Sequence, residues 1–189
     1  MQLNPRPLDG VGEVLIEALS LIAEVAVGLA GFAGVAVMLG RGPGRWSPGD
    51  ALRIRLLLTA AFTALFATLI AIGSRWAGTA ERPSVQLGAA ALLIGQVYWG
   101  AVLARQIPRL EPPDRALFNP RLAVLFRVAM YSSWGAQVVA LSGLLAAAGR
   151  WLFLYGLLVC LAYAALAFVR LLYVRPASEE ERPGRSITT

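Results

Sequence analysis

Residues 14–39 read VLIEALSLIAEVAVGLAGFAGVAVML, an apolar stretch longer than the ~20 residues that a helix needs to cross a bilayer. At about 100° per residue, the acids of this segment and several small residues gather within one arc of roughly 80°. The positions in that arc are Glu13, Glu17, Ser20, Glu24, Gly28, Gly31 and Val35. An ionisable group at membrane depth is costly unless it meets protein or water. The pattern therefore predicts a membrane helix with one functional face, and we call Glu13, Glu17, Ser20 and Glu24 the acidic stripe.

The composition extends this prediction to the whole chain. Hydrophobic residues make up 58% of the 189 positions, and the mean hydropathy is +0.65, above the usual ~45–50% apolar content of soluble domains. Five apolar segments are predicted as helices, at residues 11–39, 48–76, 84–106, 120–148 and 150–174. We therefore expect an all-α integral membrane bundle of five transmembrane helices, one domain over residues 11–174. A short segment (1–10) precedes it, and a disordered polar tail (175–189) follows.

Capping residues support two of the predicted helix starts. Ser47 followed by Pro48 and Asp50 is typical of an N-cap, a proline in the first turn and an early acid. Ser84 follows Pro83 and is expected to cap the third helix.

The arginines predict the orientation. All 17 basic residues are arginine, a usage that points to a GC-rich bacterial genome. In a five-helix layout thirteen of them fall on one side, and only Arg6, Arg75, Arg82 and Arg150 on the other. Because cytoplasmic loops are enriched in arginine, we expect an external N-terminus and a cytoplasmic C-terminus in a bacterial inner membrane. The same clustering at segment ends argues against nucleic acid as the partner of the +6 net charge.

Several classes of chemistry are excluded by missing residues. The chain has no histidine and one cysteine, Cys160. A Ser–His–Asp or Cys–His nucleophile, a histidine-ligated haem and a thiolate metal cluster are therefore impossible. We expect no enzyme, no cofactor and no metal, and a buried thiol at Cys160. The acidic first segment is also too long for the core of a signal peptide, so no cleavable leader is expected.

Polar side chains at membrane depth are the candidate site. Glu24 lies about 9 Å inside the predicted outer boundary near Ala18, at 1.5 Å per residue. Gln137 of the fourth helix reaches a similar depth, with Ser133 one turn away, and Gln96 is the polar residue of the third helix. These three are expected to line a cavity or to bond between helices. Three interpretations of Glu24 stay open: a pore lining, a proton relay, or a protonated contact with Gln137, Ser133 or another helix.

Two arginines of the predicted helices differ in their distance from these acids, since Arg127 lies about 15 Å in depth from Glu24. Arg75, at the outer end of the second helix, is expected to pair with Glu17. Arg127 is expected to reach the cytoplasmic surface instead of neutralising Glu24.

Small and aromatic residues add a packing surface and a possible cavity. Gly28, Gly31 and Gly34 are expected to pack closely against another helix, either of this chain or of a second subunit. Trp99 and Trp134 lie deeper than interfacial anchors; packing with an interhelical hydrogen bond is the favoured role, and lining a cavity with Gln96 and Gln137 is the alternative.

The leading functional hypothesis is an oligomeric cation or proton pathway lined by the acidic stripe. The expected partners are the lipid bilayer, further copies of the chain, and inorganic cations or protons. A non-catalytic membrane subunit or scaffold, docking a partner on the same face, is the alternative. An enzyme acting on lipid is the third hypothesis, and no catalytic constellation supports it.

Overall fold

The computed structural model describes residues 10–39, 48–110, 112, 120–145 and 148–173. It forms five long helices, without a strand among these residues: α1 Gly10–Leu39, α2 Pro48–Trp76, α3 Glu81–Gln106, α4 Pro120–Ser142 and α5 Gly149–Tyr173. A short 3₁₀ turn, Ile107–Arg109, follows α3. Each helix contains a segment long and apolar enough to cross a membrane, which confirms the predicted all-α bundle. The orientation stays a prediction. The predicted disordered tail, the Ser47 cap and most of the N-terminal segment lie outside the described residues.

Two helix ends differ from the expected positions. Ser84 does not cap α3, because the helix already begins at Glu81 after an extended Ala80, and the Ser84 hydroxyl donates to the Ala80 carbonyl at 2.9 Å. The fourth helix ends at Ser142, six residues before the expected end at 148. Gly143 takes a φ of +67°, a left-handed conformation that stops a helix and that glycine adopts without strain.

The second helix is the centre of the bundle. It packs against α1, α3 and α5, while α4 packs on α3 and α5. The face of α2 toward the core carries the buried residues Ala60, Ala64, Ala67 and Ala71. Small side chains let neighbouring helix backbones approach closely, which is the usual basis of helix packing in membranes.

The first helix lies at the edge of the bundle. Its main contacts are with α2 and α5. Leu15, Leu19, Ile22 and Ala26 form its buried face and join the hydrophobic core. Leu29 and Ala30 also pack against core residues, whereas the side that carries the acids is turned away from the core.

Each end of the bundle has one ion pair in the described chain. Arg53 binds Asp50 at 2.9 Å near the start of α2, and Arg150 of α5 lies 3.7 Å from Glu81 of α3. We call the end that carries the N-termini of α2 and α4 and the C-termini of α3 and α5 the arginine-rich end. It is the predicted cytoplasmic end.

Candidate functional site

The acidic stripe lies on the outside of the protomer. Glu13, Glu17 and Glu24 are exposed, and Ser20 is half-buried. At about 100° per residue, the centre of the three acids is about 170° from the centre of the buried α1 face. The stripe therefore points almost directly away from the core, toward whatever surrounds the protomer.

Glu24 has no polar partner within the described chain. The sequence suggested hydrogen bonds from Glu24 to Gln137 or Ser133, and the structure contradicts both. Both residues lie on α4, which is not a principal neighbour of α1, and both are fully buried. Their bonds go elsewhere: Ser133 exchanges bonds with Gln96, and the Gln137 amide donates to the Leu152 carbonyl at 3.0 Å.

The expected pair between Glu17 and Arg75 is also wrong. The Arg75 guanidinium donates to the Thr79 carbonyl at 2.9 Å and so closes the end of its own helix. Neither residue takes part in the two ion pairs of the described segments. Arg127 is exposed and, as expected, makes no ion pair with Glu24.

The space beside each of three glycines of α1 is empty in the described structure. A Cβ placed at Gly28, Gly31 or Gly34 would meet no atom of the protein within 4 Å beyond its immediate surroundings. No helix of the described chain therefore packs against these residues. Packing against a helix of a second subunit stays a prediction.

The glycines at close helix–helix contacts lie in α3 and α5, and the sequence pattern had not singled them out. A Cβ at Gly88 would lie 2.6 Å from the Phe153 ring, and a Cβ at Gly95 would overlap the side chain of Thr63. In α5, a Cβ at Gly156 would overlap the Gln137 amide. The seven-residue spacing of Gly88 and Gly95 was an available signal, because it returns both to one side of a helix after two turns.

Gln96 is the centre of a fully buried polar cluster. Its amide nitrogen lies 2.9 Å from the Ser133 hydroxyl, 3.3 Å from the Gly156 carbonyl and 3.3 Å from the Cys160 sulfur. All four residues of this cluster are buried. The cluster joins α3, α4 and α5, which fits the role of interhelical hydrogen bonds in membranes.

Gln137 provides a second bond between helices on the same side of α5. Its amide nitrogen reaches the Leu152 carbonyl, one turn before the carbonyl that Gln96 uses. Its amide oxygen is buried and has no hydrogen-bond partner. Gln96, Ser133 and Gln137 thus lie close together in the interior, on the far side of the bundle from the acidic stripe.

A cavity of about 550 Å³ lies at the arginine-rich end, between α2, α3, α4 and α5. Trp99 and Trp134 line it, as does Arg127, whereas Gln96 and Gln137 do not. The alternative that grouped both tryptophans with both glutamines around one cavity is therefore half correct, because the glutamines bond between helices. The favoured interhelical hydrogen bond of the tryptophans is absent among the described residues, where both indole nitrogens lack a partner.

Within the described residues, no group of three or more histidine, cysteine, aspartate or glutamate side chains could hold a metal ion. Cys160 is a free thiol and fully buried. What the arrangement offers is an exposed acidic face, an internal polar cluster whose bonds are mostly made within the chain, and a basic cavity.

Comparison with protein-family models, with curated proteins and with solved structures found no match for the chain. The five apolar helices of the fold define a multi-pass helical membrane protein.

Proposed function

We propose that several copies of this chain assemble in the membrane with their α1 helices facing one another, and that the acidic stripe lines a shared path for cations or protons. The observation that carries this proposal is the outward position of Glu24 on a peripheral helix. In an isolated protomer this carboxyl group would face hydrocarbon. Ionisable residues in membrane segments almost always face protein or a hydrated cavity instead.

Symmetric assembly supplies what Glu24 lacks in the protomer. Rotational symmetry brings the same face of every copy together around one axis. Rings of carboxylates around such an axis attract cations and retain water. Within the described interior, Gln96 and Ser133 are closed to solvent and bond to each other, so they do not supply a hydrated path.

The geometry of the stripe also suits a path that narrows. From Glu13 to Glu24 the helix rises about 16 Å, roughly half of a ~30 Å hydrocarbon core. The same face continues as Gly28, Gly31 and Val35, which carry no charge. An acidic entrance would then lead to a segment of small and apolar residues, and apolar constrictions are known places for gating.

Docking of a different membrane protein is the competing function. The open surface at Gly28, Gly31 and Gly34 favours it, because small residues allow a foreign helix to approach closely. A polar group on that partner would satisfy Glu24. Both functions use the same face, and ion flux through the purified protein distinguishes them.

The test measures cation and proton flux into liposomes that contain the purified protein, with Glu24→Gln and Glu24→Ala. We expect either change to lower the flux by at least about fivefold or to alter its pH dependence. A unit charge about 4 Å from a cation is worth about 1 kcal/mol even in bulk water. Melting of the protomer should be unchanged, because Glu24 makes no bond within the described chain.

Glu81→Gln is the matched control. This acid pairs with Arg150 outside the stripe, so flux should stay at the wild-type level. Absence of flux in the wild type, or equal flux in both Glu24 variants and the wild type, would reject the pathway. The mass of the particle in mild detergents and in lipid discs gives an independent check, since a strictly monomeric particle rules out a shared path.

A further inference from the structure

The cavity at the arginine-rich end has the size of a ligand site. Its volume of about 550 Å³ falls inside the ~300–1,000 Å³ that is usual for small-molecule sites. It is formed by α2, α3, the 3₁₀ turn, α4 and α5. It contains no residue of α1, so it is separate from the acidic stripe and does not depend on the function proposed above.

The charges of the lining residues favour an anion. Arg53, Arg127 and Arg170 line the cavity, and no aspartate or glutamate is among its lining residues. Arg53 is bound to Asp50 at 2.9 Å. Arg127 and Arg170 belong to neither ion pair of the described segments. Two guanidinium groups thus face one apolar cavity without a carboxylate among the described residues to balance them.

The wall beyond the arginines is aromatic and apolar. The Tyr163 ring lies 4.9 Å from the Trp99 ring and 4.4 Å from the Phe126 ring, measured between centroids. Trp99 is seven residues before the end of α3, which places it about 10 Å deeper than that end at 1.5 Å per residue. Arg127 is equally far from its helix end, seven residues after the start of α4, whereas Arg170 is three residues before the end of α5. The cavity therefore extends from a cation near the membrane surface to a cation and aromatic rings about two helical turns inside the helix ends.

Two buried donors occur in this wall. The indole nitrogens of Trp99 and Trp134 are both shielded from solvent and have no hydrogen-bond partner in the described chain. The Trp99 side chain is only 2% exposed. An unpaired donor in a low-dielectric interior is costly, and tryptophan N–H groups usually find an acceptor when buried.

We propose that this cavity binds the phosphate headgroup of an anionic membrane lipid. Guanidinium groups bind phosphate through charge-assisted, often bidentate hydrogen bonds, and basic pockets between membrane helices are known to hold lipid headgroups. The ester carbonyls of a glycerolipid lie below its phosphate and supply hydrogen-bond acceptors for the two indole N–H groups. Its acyl chains follow the aromatic wall into the bilayer.

The test measures the affinity of the full-length protein in mild detergent for phosphatidylglycerol and for zwitterionic phosphatidylcholine, by native mass spectrometry. The binding variant is the double change Arg127→Gln and Arg170→Gln. The matched control is Arg105→Gln with Arg109→Gln, two exposed arginines of the same end that are not part of the lining. Both variants remove two charges, so general attraction to the basic surface falls equally in each.

We expect phosphatidylglycerol to bind the wild type at least about tenfold more tightly than phosphatidylcholine. The cavity variant should weaken that binding by roughly 100-fold, because each arginine loses a charge-assisted hydrogen bond to the phosphate, and the control by less than about threefold. Trp99→Phe keeps an aromatic ring and removes the N–H donor. It should weaken lipid binding, and the melting temperature of the lipid-free variant measures separately the packing that is lost where the smaller ring replaces a buried indole. If the double variant does not fold, the lipid affinity of Trp99→Phe tests whether the cavity is the binding site.

Three results would overturn the proposal. Equal affinity for the two lipids would remove the headgroup specificity. Equal losses in the cavity variant and its control would assign binding to the basic surface as a whole. Displacement of phosphatidylglycerol by millimolar inorganic phosphate would show that the site takes a free anion and that the lipid is not its specific ligand.

Discussion

Gly88→Ala should destabilise the protomer, whereas Gly28→Ala should not. A Cβ at Gly88 would lie 2.6 Å from the Phe153 ring, 3.0 Å from the Ala71 Cβ and 3.1 Å from the Ala67 carbonyl oxygen. Carbon atoms prefer a separation of about 3.5–4.0 Å, so the ring would have to move by about 1 Å. Phe153 is fully buried and has no free volume on the solvent side to move into.

The comparison of the two variants isolates the packing cost. Overpacking of a well-filled site costs about 1–3 kcal/mol. Glycine to alanine also favours a helix by about 0.8–1.0 kcal/mol in water, but this gain applies to both positions and cancels. Gly28 has no neighbouring atom within 4 Å of the added methyl group. The difference in unfolding free energy between the variants is therefore about 1–3 kcal/mol, with Gly88→Ala the less stable.

The assay is reversible unfolding in mixed micelles, followed by tryptophan fluorescence at a protein concentration low enough to keep the particle monomeric. Equal stability of the two variants would mean that α3 moves away from α2 and α5 without cost. A larger loss for Gly28→Ala would mean that the α1 glycines pack within the protomer, which would refute the assignment of that surface to another molecule. At high protein concentration, weaker assembly of Gly28→Ala with an intact protomer would support a contact between copies.

Two further predictions concern the internal polar cluster and the orientation. Ser133→Ala removes one partner of Gln96 and should cost about 0.6 kcal/mol and at most about 1.7, the range of interhelical hydrogen bonds in membranes; a loss above 3 kcal/mol in micelle unfolding would show that the cluster does more than join helices. A reporter fused at Glu81 should read external and one fused at Arg109 cytoplasmic, because arginine-rich loops stay inside, and the reverse result would overturn the orientation.

The number and approximate places of the helices could be predicted because each depends on a local property, an apolar segment of sufficient length. The end of α4 could not. Residues 143–148 are apolar or glycine and resemble a continuing helix, whereas the left-handed Gly143 ends it. The Arg82 side chain donates to the Gly143 carbonyl at 3.1 Å, so this turn is held by a contact from α3 that no local pattern reveals.

The contacts between helices were the main feature of the structure that could not be predicted from the sequence. The glycines of α1 and those of α3 have similar surroundings in sequence, and only the rotation of each helix decides which of them meet a neighbour. The same rotation separates Glu17 from Arg75, although both lie near one end of the bundle. It also separates Glu24 from Gln137, although their predicted depths agree. Depth follows from position along one helix, but contact needs the direction in which each side chain points.

The polar residues at membrane depth divide according to where their partners are. Gln96 and Ser133 are closed to solvent and bond to each other, so they hold α3 against α4 whatever surrounds the protomer. Glu24 has the opposite environment, exposed and without a polar partner among the described residues. Since burial of an unpaired ionisable group in lipid is unfavourable, the proposed assembly would supply the partner that the described residues lack. A second copy of α1 meets that need because it brings another acidic stripe and the water that two facing stripes would retain. This is why removal of the charge should alter flux or assembly and leave the stability of the fold unchanged.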